Sequence, residues 1–220
     1  MKKVTLLGDS ITEYMPYVID KTMKRGFNVP MISDKLPDND IIFNICGISN
    51  IGVGAFHNYC WKGVKKDEID CFVLLLGINN LLRPDCDNDG KESLEDTFEK
   101  LKLFIQDIIN SGKDILVQLL YPTEYINTNA KVVILNEKLR KYCEENEIDY
   151  LDLYDDLLDN NGVINPIYTD DGLHPNETCY MFIIDRISKK IKLKSEKVKR
   201  MKKYTDNKNI WFIYYYDKVR

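Results

Sequence analysis

Five apolar runs of strand length, set at long intervals, constrain this 220-residue chain more than anything else in it: Val4–Leu7, Ile41–Ile45, Cys71–Leu76, Ile115–Leu120 and, more weakly, Tyr150–Leu153. Each is bounded by Gly, Asn, Asp or Pro, and the intervals are long enough for crossover helices. Runs that are apolar throughout, rather than alternating, suit parallel strands covered on both faces. The expectation is an α/β chain in three layers, α/β/α, around a parallel sheet of about five strands.

Between the runs, Ser93–Ile109 carries Leu94, Phe98, Leu101, Ile105 and Ile108 at helical spacing, with Ser93 placed to cap the N-terminus. A second amphipathic segment covers Ala130–Glu145. The length suits one generous core and is short for two. With 44% hydrophobic and 30% charged residues, the chain reads as globular. A net charge of −4 implies neither nucleic acid nor an acidic partner. The six cysteines, Cys46, Cys60, Cys71, Cys86, Cys143 and Cys179, include no CxxC pair, so they read as reduced, packed thiols rather than a zinc or redox site. The apolar run after Met1-Lys2-Lys3 is too short for a signal segment, and Cys71–Leu76 falls well short of the ~20 residues that a membrane-spanning helix needs. A cytoplasmic location is expected.

The C-terminal stretch changes character. Lys189–Lys203 is strongly basic and Ile210–Tyr216 (IWFIYYY) is aromatic. The division expected is a domain over residues 1–190 and, over 191–220, a basic then aromatic extension packed on the domain or lying in an interface. A homo-oligomer formed through this extension, a membrane surface and a nucleic acid all stay open as readings of it.

In an open parallel sheet, ligands lie beyond the carboxyl ends of the strands. The residues following the runs are Gly8-Asp9-Ser10, then Asn44-Ile45-Cys46-Gly47-Ile48-Ser49, then Gly77-Ile78-Asn79-Asn80. Far downstream comes Asp170-Asp171-Gly172-Leu173-His174-Pro175-Asn176. These residue types are what acyl transfer needs. A serine hydroxyl becomes a nucleophile when a base takes its proton, and histidine, with a reference pKa of about 6.5, is the usual partner. A carboxylate three residues before the histidine can curl back to fix its tautomer, as Asp171 can for His174 across Gly172. An oxyanion needs amide donors, and the Ser10 N–H, the Gly47 N–H and the Asn79 side chain are the candidates. Taken singly, Ser10 reads as a helix cap, Asn79 as a loop amide and His174 as a surface histidine; taken together they read as a catalytic set. His57 has no such company and is set on a helix face. Asp9 is assigned to ordering the turn by bonding backbone amides.

The blocks GDSIT, NICGIS, GINN and DGLHPN resemble, in kind and in order, those of the GDSL or SGNH hydrolase family, over roughly residues 4–190. The resemblance implies a flavodoxin-like fold, a Ser10–His174–Asp171 triad and an oxyanion hole from Ser10, Gly47 and Asn79. It also implies hydrolysis of a small-molecule acyl ester or thioester through an acyl-Ser10 intermediate, with no cofactor and no metal. Two positions depart from the family pattern: Asn80 stands where the third block commonly has Asp, and Asn50 where the second commonly has Gly after its Ser. The first removes a charge near the oxyanion donor, which bears on loop anchoring or substrate preference more than on reaction type. Acetyl- or other short-acyl esterase, lysophospholipase and thioesterase types all stay open, since neither acyl length nor leaving group is legible, and an acyltransferase on the same site and a catalytically silent binding module are the alternatives.

Overall fold

A computed structural model of the chain describes residues 1–21, 29–31, 36, 40–87 and 92–206. Its strands are β1 (Lys2–Gly8), β2 (Val29–Met31), β3 (Ile41–Gly47), β4 (Cys71–Leu75), β5 (Asp114–Gln118) and β6 (Asp149–Leu151). They form one sheet in the order β2-β3-β1-β4-β5-β6. The five strands expected from the apolar runs are all parallel. The sixth, β2, is a three-residue edge strand antiparallel to β3.

The helices are α1 (Ser10–Ile19), α2 (Val53–Ala55), α3 (Ile78–Leu82), α4 (Leu94–Asn110), α5 (Ile126–Glu145), α6 (Tyr154–Leu157) and α7 (Glu177–Asp206). α1 packs with α7, and α4 packs with α2 and α5, so the sheet lies between two helical layers. Burial from both sides is why β4 could be read as unbroken apolar sequence: all five of its residues are buried. Helix α4 begins where its sequence says it should. Ser93 accepts from the Asp96 amide while Asp96 reaches back to the Ser93 amide, a capping box worth about 1 kcal/mol. Leu101, Ile105 and Ile108 are buried, whereas Leu94 and Phe98 are partly buried at the edge of the core.

The position of β1 decides where a site can form. It lies between β3 and β4, and the chain leaves it first to one side and then to the other, so the switch in winding direction falls at the ends of these three strands. Register brings Gly8 level with Gly47 on one side and with Leu75 on the other. Strands lie about 4.8 Å apart, so three loops remote in sequence emerge side by side.

None of the six cysteines is in a disulfide, and burial pushes the thiols of Cys71, Cys143 and Cys179 up to about 12. Among the described residues no helix is long and apolar enough to cross a membrane. Helix α7 runs without a break through residue 190 to Asp206, and the aromatic stretch Ile210–Tyr216 lies outside the described residues. Ile187 and Ile191 are buried, Leu193 is 64% exposed, and Lys194 ties the helix to the sheet by pairing with Asp149 at 2.9 Å and Asp114 at 3.4 Å. Truncation after Lys194 keeps those pairs. The shortened protein is therefore expected to retain its turnover of a small activated ester, with any loss in solubility or self-association. Folded but inactive truncated protein would mean that the distal segment contributes to the site.

Candidate active site

At the end of β1, Asp9 caps helix α1, its Oδ1 accepting from the Ile11 amide at 3.0 Å. The cap puts Ser10 at the first helical position, 8% exposed at the carboxyl edge of the sheet. Asp9 itself is fully buried, and its Oδ2 has no hydrogen-bond partner among the described residues. Burial pushes this carboxyl up to about 7, against the opposing pull of the Ile11 amide and of His174.

Ser10 Oγ lies 2.9 Å from His174 Nε2, and His174 Nδ1 lies 2.6 Å from Asp171 Oδ2. The loop carrying both partners is held at several points. Asp171 Oδ1 accepts from the His174 amide at 2.7 Å and from the Leu173 amide at 3.0 Å, so one oxygen folds the turn while the other faces the ring. Thr169 Oγ1 donates to the His174 carbonyl at 2.8 Å and accepts from the Gly172 amide at 3.0 Å. Gly172 has φ of +78°, and a Cβ there would collide with the Glu124 side chain, so the tight turn requires glycine. Behind the loop, Asn176 Oδ1 accepts from the Cys179 amide at 3.1 Å near the start of α7. One turn on, the Tyr180 hydroxyl donates to the Ile11 carbonyl at 2.7 Å. That buried bond ties the histidine loop to the first turn of the serine helix.

Partial burial opposes ionisation of Asp171. The hydrogen bonds from the His174 ring, the His174 amide and the Leu173 amide outweigh it and hold the carboxyl below the usual carboxylate range. The Tyr14 ring, one turn along α1 from Ser10, lies against the imidazole with centroids 4.9 Å apart. Such a set can hold imidazole in one tautomer, with Nδ1–H bonded to the carboxylate and Nε2 free to accept from Ser10.

Gly47 ends β3 and Asn79 follows β4, the two strands flanking β1. Gly47 touches the serine turn so closely that a Cβ would come within 2.2 Å of the Glu13 amide nitrogen and 2.8 Å of the Asp9 carbonyl. Glu13 also reaches across, its Oε2 accepting from the Ser49 amide at 2.7 Å and from the Ser49 hydroxyl. Asn79 is 6% exposed; its Nδ2 donates to the Ile51 carbonyl at 3.0 Å, and its Oδ1 accepts from Arg83 Nη2 at 3.3 Å. The five residues expected from the sequence thus stand at one edge of the sheet: Gly47 at the end of β3, Ser10 and Asn79 in the first turns of α1 and α3, and Asp171 and His174 on the loop before α7.

The neighbouring Asn80 has a different task. Its Oδ1 accepts from the Val53 amide at 3.1 Å, and its Nδ2 donates to Asp87 at 3.0 Å and Glu92 at 2.9 Å. Asp87 in turn accepts from the Gly54 amide at 2.9 Å and the Ala55 amide at 2.8 Å, with Lys100 at 3.4 Å. Burial works against the Asp87 charge, but the amides hold its carboxyl below the usual range. Asn50 sits at φ of +63°, the left-handed region that glycine favours and that asparagine tolerates better than most side chains. His57 stands in a π-helical turn (Phe56–Cys60), bonded to Asp107 at 2.7 Å and stacked on Phe104, in company unrelated to Ser10. Among the described residues no group of three or more His, Cys, Asp or Glu could hold a metal ion.

Arg83, Tyr14, Glu13 and Asp87 escaped the sequence reading. For Arg83 and Tyr14 a signal existed, since each lies four residues, about one helical turn, from a candidate site residue, Arg83 from Asn79 and Tyr14 from Ser10.

Solved structures with this architecture include a GDSL-like lipase from Bacteroides thetaiotaomicron, 21% identical over 87% of this chain and 88% of that one, with a TM-score of 0.70. An acetylxylan esterase from Geobacillus stearothermophilus, seen as a catalytic mutant, is 16% identical over 86% of this chain and 94% of its own, with a TM-score of 0.65. A carbohydrate esterase family 3 protein from Talaromyces cellulolyticus is 22% identical over 89% and 99%, with a TM-score of 0.59. At these identities the likeness is one of fold. No curated protein sequence matches the chain. Residues 6–181, which include every block carrying a candidate residue, match the GDSL-like lipase/acylhydrolase family, and the chain belongs to that family.

Proposed function

We propose that the protein is a serine hydrolase that cleaves short-acyl carboxylic esters through an acyl-Ser10 intermediate. The observation that carries this reading is the unbroken hydrogen-bond chain from Ser10 Oγ through both nitrogens of His174 to Asp171. Ser10 Oγ attacks the carbonyl carbon as its proton passes to His174 Nε2, and the carbonyl electron pair moves onto oxygen. The Ser10 and Gly47 amides and the Asn79 side chain stabilise that oxyanion. Collapse expels the alcohol, which takes the proton from His174. Water then attacks the acyl group with His174 again as base, releasing the acid and restoring Ser10. Acetyl esters are the favoured first substrates, because solved structures of this fold include an acetylxylan esterase and an acetyl esterase. Family membership supports the reaction class.

The test is a screen of p-nitrophenyl esters of increasing acyl length, run beside the Ser10→Ala protein, with fluorophosphonate labelling of the parent. Turnover that is fastest for the shortest acyl groups, with label on Ser10, is expected. Absence of both turnover and labelling would favour a silent binding module, whereas an added alcohol outcompeting water for the acyl group would identify a transferase.

Asn79→Ala is expected to lower kcat by about 10²–10³ and to change KM much less, since the amide meets a full negative charge only in the transition state. Steady-state kinetics on p-nitrophenyl acetate check it. An effect confined to KM would make Asn79 a substrate-binding residue.

A further inference from the structure

We propose that Arg83 is a positioning residue for the oxyanion donor: its guanidinium fixes which end of the Asn79 amide faces the reacting carbonyl, and locks the loop after β3 to the loop after β4. The proposal rests on the reading of Asn79 given above, and its test separates the two.

A side-chain amide is nearly isosteric at its two ends, yet only one end serves an oxyanion. Turned round, Asn79 would present its carbonyl oxygen to the developing negative charge. Two partners select the productive orientation. The Ile51 carbonyl, 3.0 Å from Asn79 Nδ2, can only accept. Arg83 Nη2, 3.3 Å from Asn79 Oδ1, can only donate. Nδ2 carries a second proton, so the bond to Ile51 leaves one for the substrate oxygen. Arginine does not lose its charge in the working pH range, so the orientation holds throughout it. A cationic donor on the amide oxygen also polarises the amide and strengthens its N–H groups as donors.

The second proton on Arg83 Nη2 goes to the Asn50 carbonyl at 3.1 Å. Asn50 is the residue at positive φ, and the next carbonyl along, that of Ile51, is the one Asn79 grips. One cation therefore spans two loops that meet where Asn79 presents its donor. Local sequence accounts for its aim. In Ile78-Asn79-Asn80-Leu81-Leu82-Arg83-Pro84, Arg83 ends α3 with its amide on the Asn79 carbonyl at 2.7 Å, and Pro84 forces the residue before it out of the helical region, at φ −137° and ψ 88°. Spacing of four residues lets the side chain return to Asn79. Arg83 is exposed, so water screens its direct field and its influence passes through the amide it holds.

The experiment is a double-mutant cycle on p-nitrophenyl acetate hydrolysis with Arg83→Met, Asn79→Ala and the pair. Methionine keeps an apolar stem and removes the donors. Arg83→Met alone is expected to lower kcat and kcat/KM together by about tenfold, with KM within about twofold. In the Asn79→Ala background the same change should cost less than about twofold, because the group it orients is gone. Equal cost in both backgrounds, or no cost in the parent, would overturn the proposal while leaving Asn79 as the donor. If Asn79→Ala itself proved neutral, the oxyanion reading of Asn79 would fail first. Arg83→Leu, which likewise removes every donor, replaces the methionine variant in the same cycle if the latter does not fold, with the same non-additivity expected.

Discussion

Ser10→Ala is expected to lower kcat for an activated ester by roughly 10⁴–10⁶ while the protein stays folded. The chemical part follows from the geometry: no other hydroxyl is hydrogen-bonded to His174 Nε2 among the described residues, so nothing inherits the acyl group. The structural part follows from what Ser10 does not do. The helix is capped by Asp9 rather than by Ser10, and the first turn is held through main-chain atoms, with Ile11 N on Asp9 and the Ile11 carbonyl on Tyr180. Alanine suits a first helical position and fills nearly the same space. Thermal melting within about 3 °C of the parent, a shift that corresponds to ~1 kcal/mol in a chain of this size, checks the fold. Fluorophosphonate should label the parent and not the variant. Equal turnover by the folded variant would remove Ser10 from the nucleophile role.

The central strands were legible because burial on both faces writes them as apolar runs that need no partner to be recognised, as in Cys71–Leu75. Strand β2 was not, because three residues with Pro30 at their centre carry no pattern and exist as a strand only by pairing with β3. Helix α1 was marked at its start by the Asp9 cap, although Pro16 lies within it. The turn holding His57 follows the π period, which a helical template does not detect. At the site, legibility ended at the residues that touch one another across loops. Asn80 looked like a missing charge. Seven residues later Asp87 stands against it, so the pair anchors the loop after β3 through the Val53, Gly54 and Ala55 amides. Asn50 looked like a departure from glycine, yet its positive φ is one that asparagine adopts at modest cost. Spacing along the chain carries neither: the Asn80–Asp87 contact depends on how the fold returns the chain to Asn80, and the φ of Asn50 on the turn in which it sits.

Asp171→Asn is expected to lower kcat by about 10⁴ without disturbing Ser10 or the loop, and the reason lies in how the two carboxylate oxygens are used. Oδ1 accepts from the His174 and Leu173 amides, and Oδ2 faces His174 Nδ1. Asparagine can keep the first role with its carbonyl, which places its NH₂ against Nδ1. The ring must then accept there and carry its proton on Nε2, the nitrogen that should take the Ser10 proton. This is a fault of tautomer rather than of charge, so modest changes of pH do not repair it. In the parent, kcat/KM should rise with pH as the imidazolium of the free enzyme loses its proton and then level off. Asp171, held below the usual carboxylate range, stays ionised throughout that rise. Tyr14 lies against the ring and Asp9 acts on it electrostatically, while Tyr121 and Tyr180, which feel the Asp9 charge, are pushed by burial well above the ordinary tyrosine range, away from the limb. Asp9, pushed up to about 7, could mimic it. Asp9→Asn, whose side-chain oxygen can still accept from the Ile11 amide, separates the two: the limb should persist in it. In His57→Ala both the rate and the limb should be preserved, since that ring is bonded to Asp107 and stacked on Phe104. A limb unchanged in the residual activity of His174→Ala, or lost in His57→Ala or Asp9→Asn, would take the general-base role away from His174.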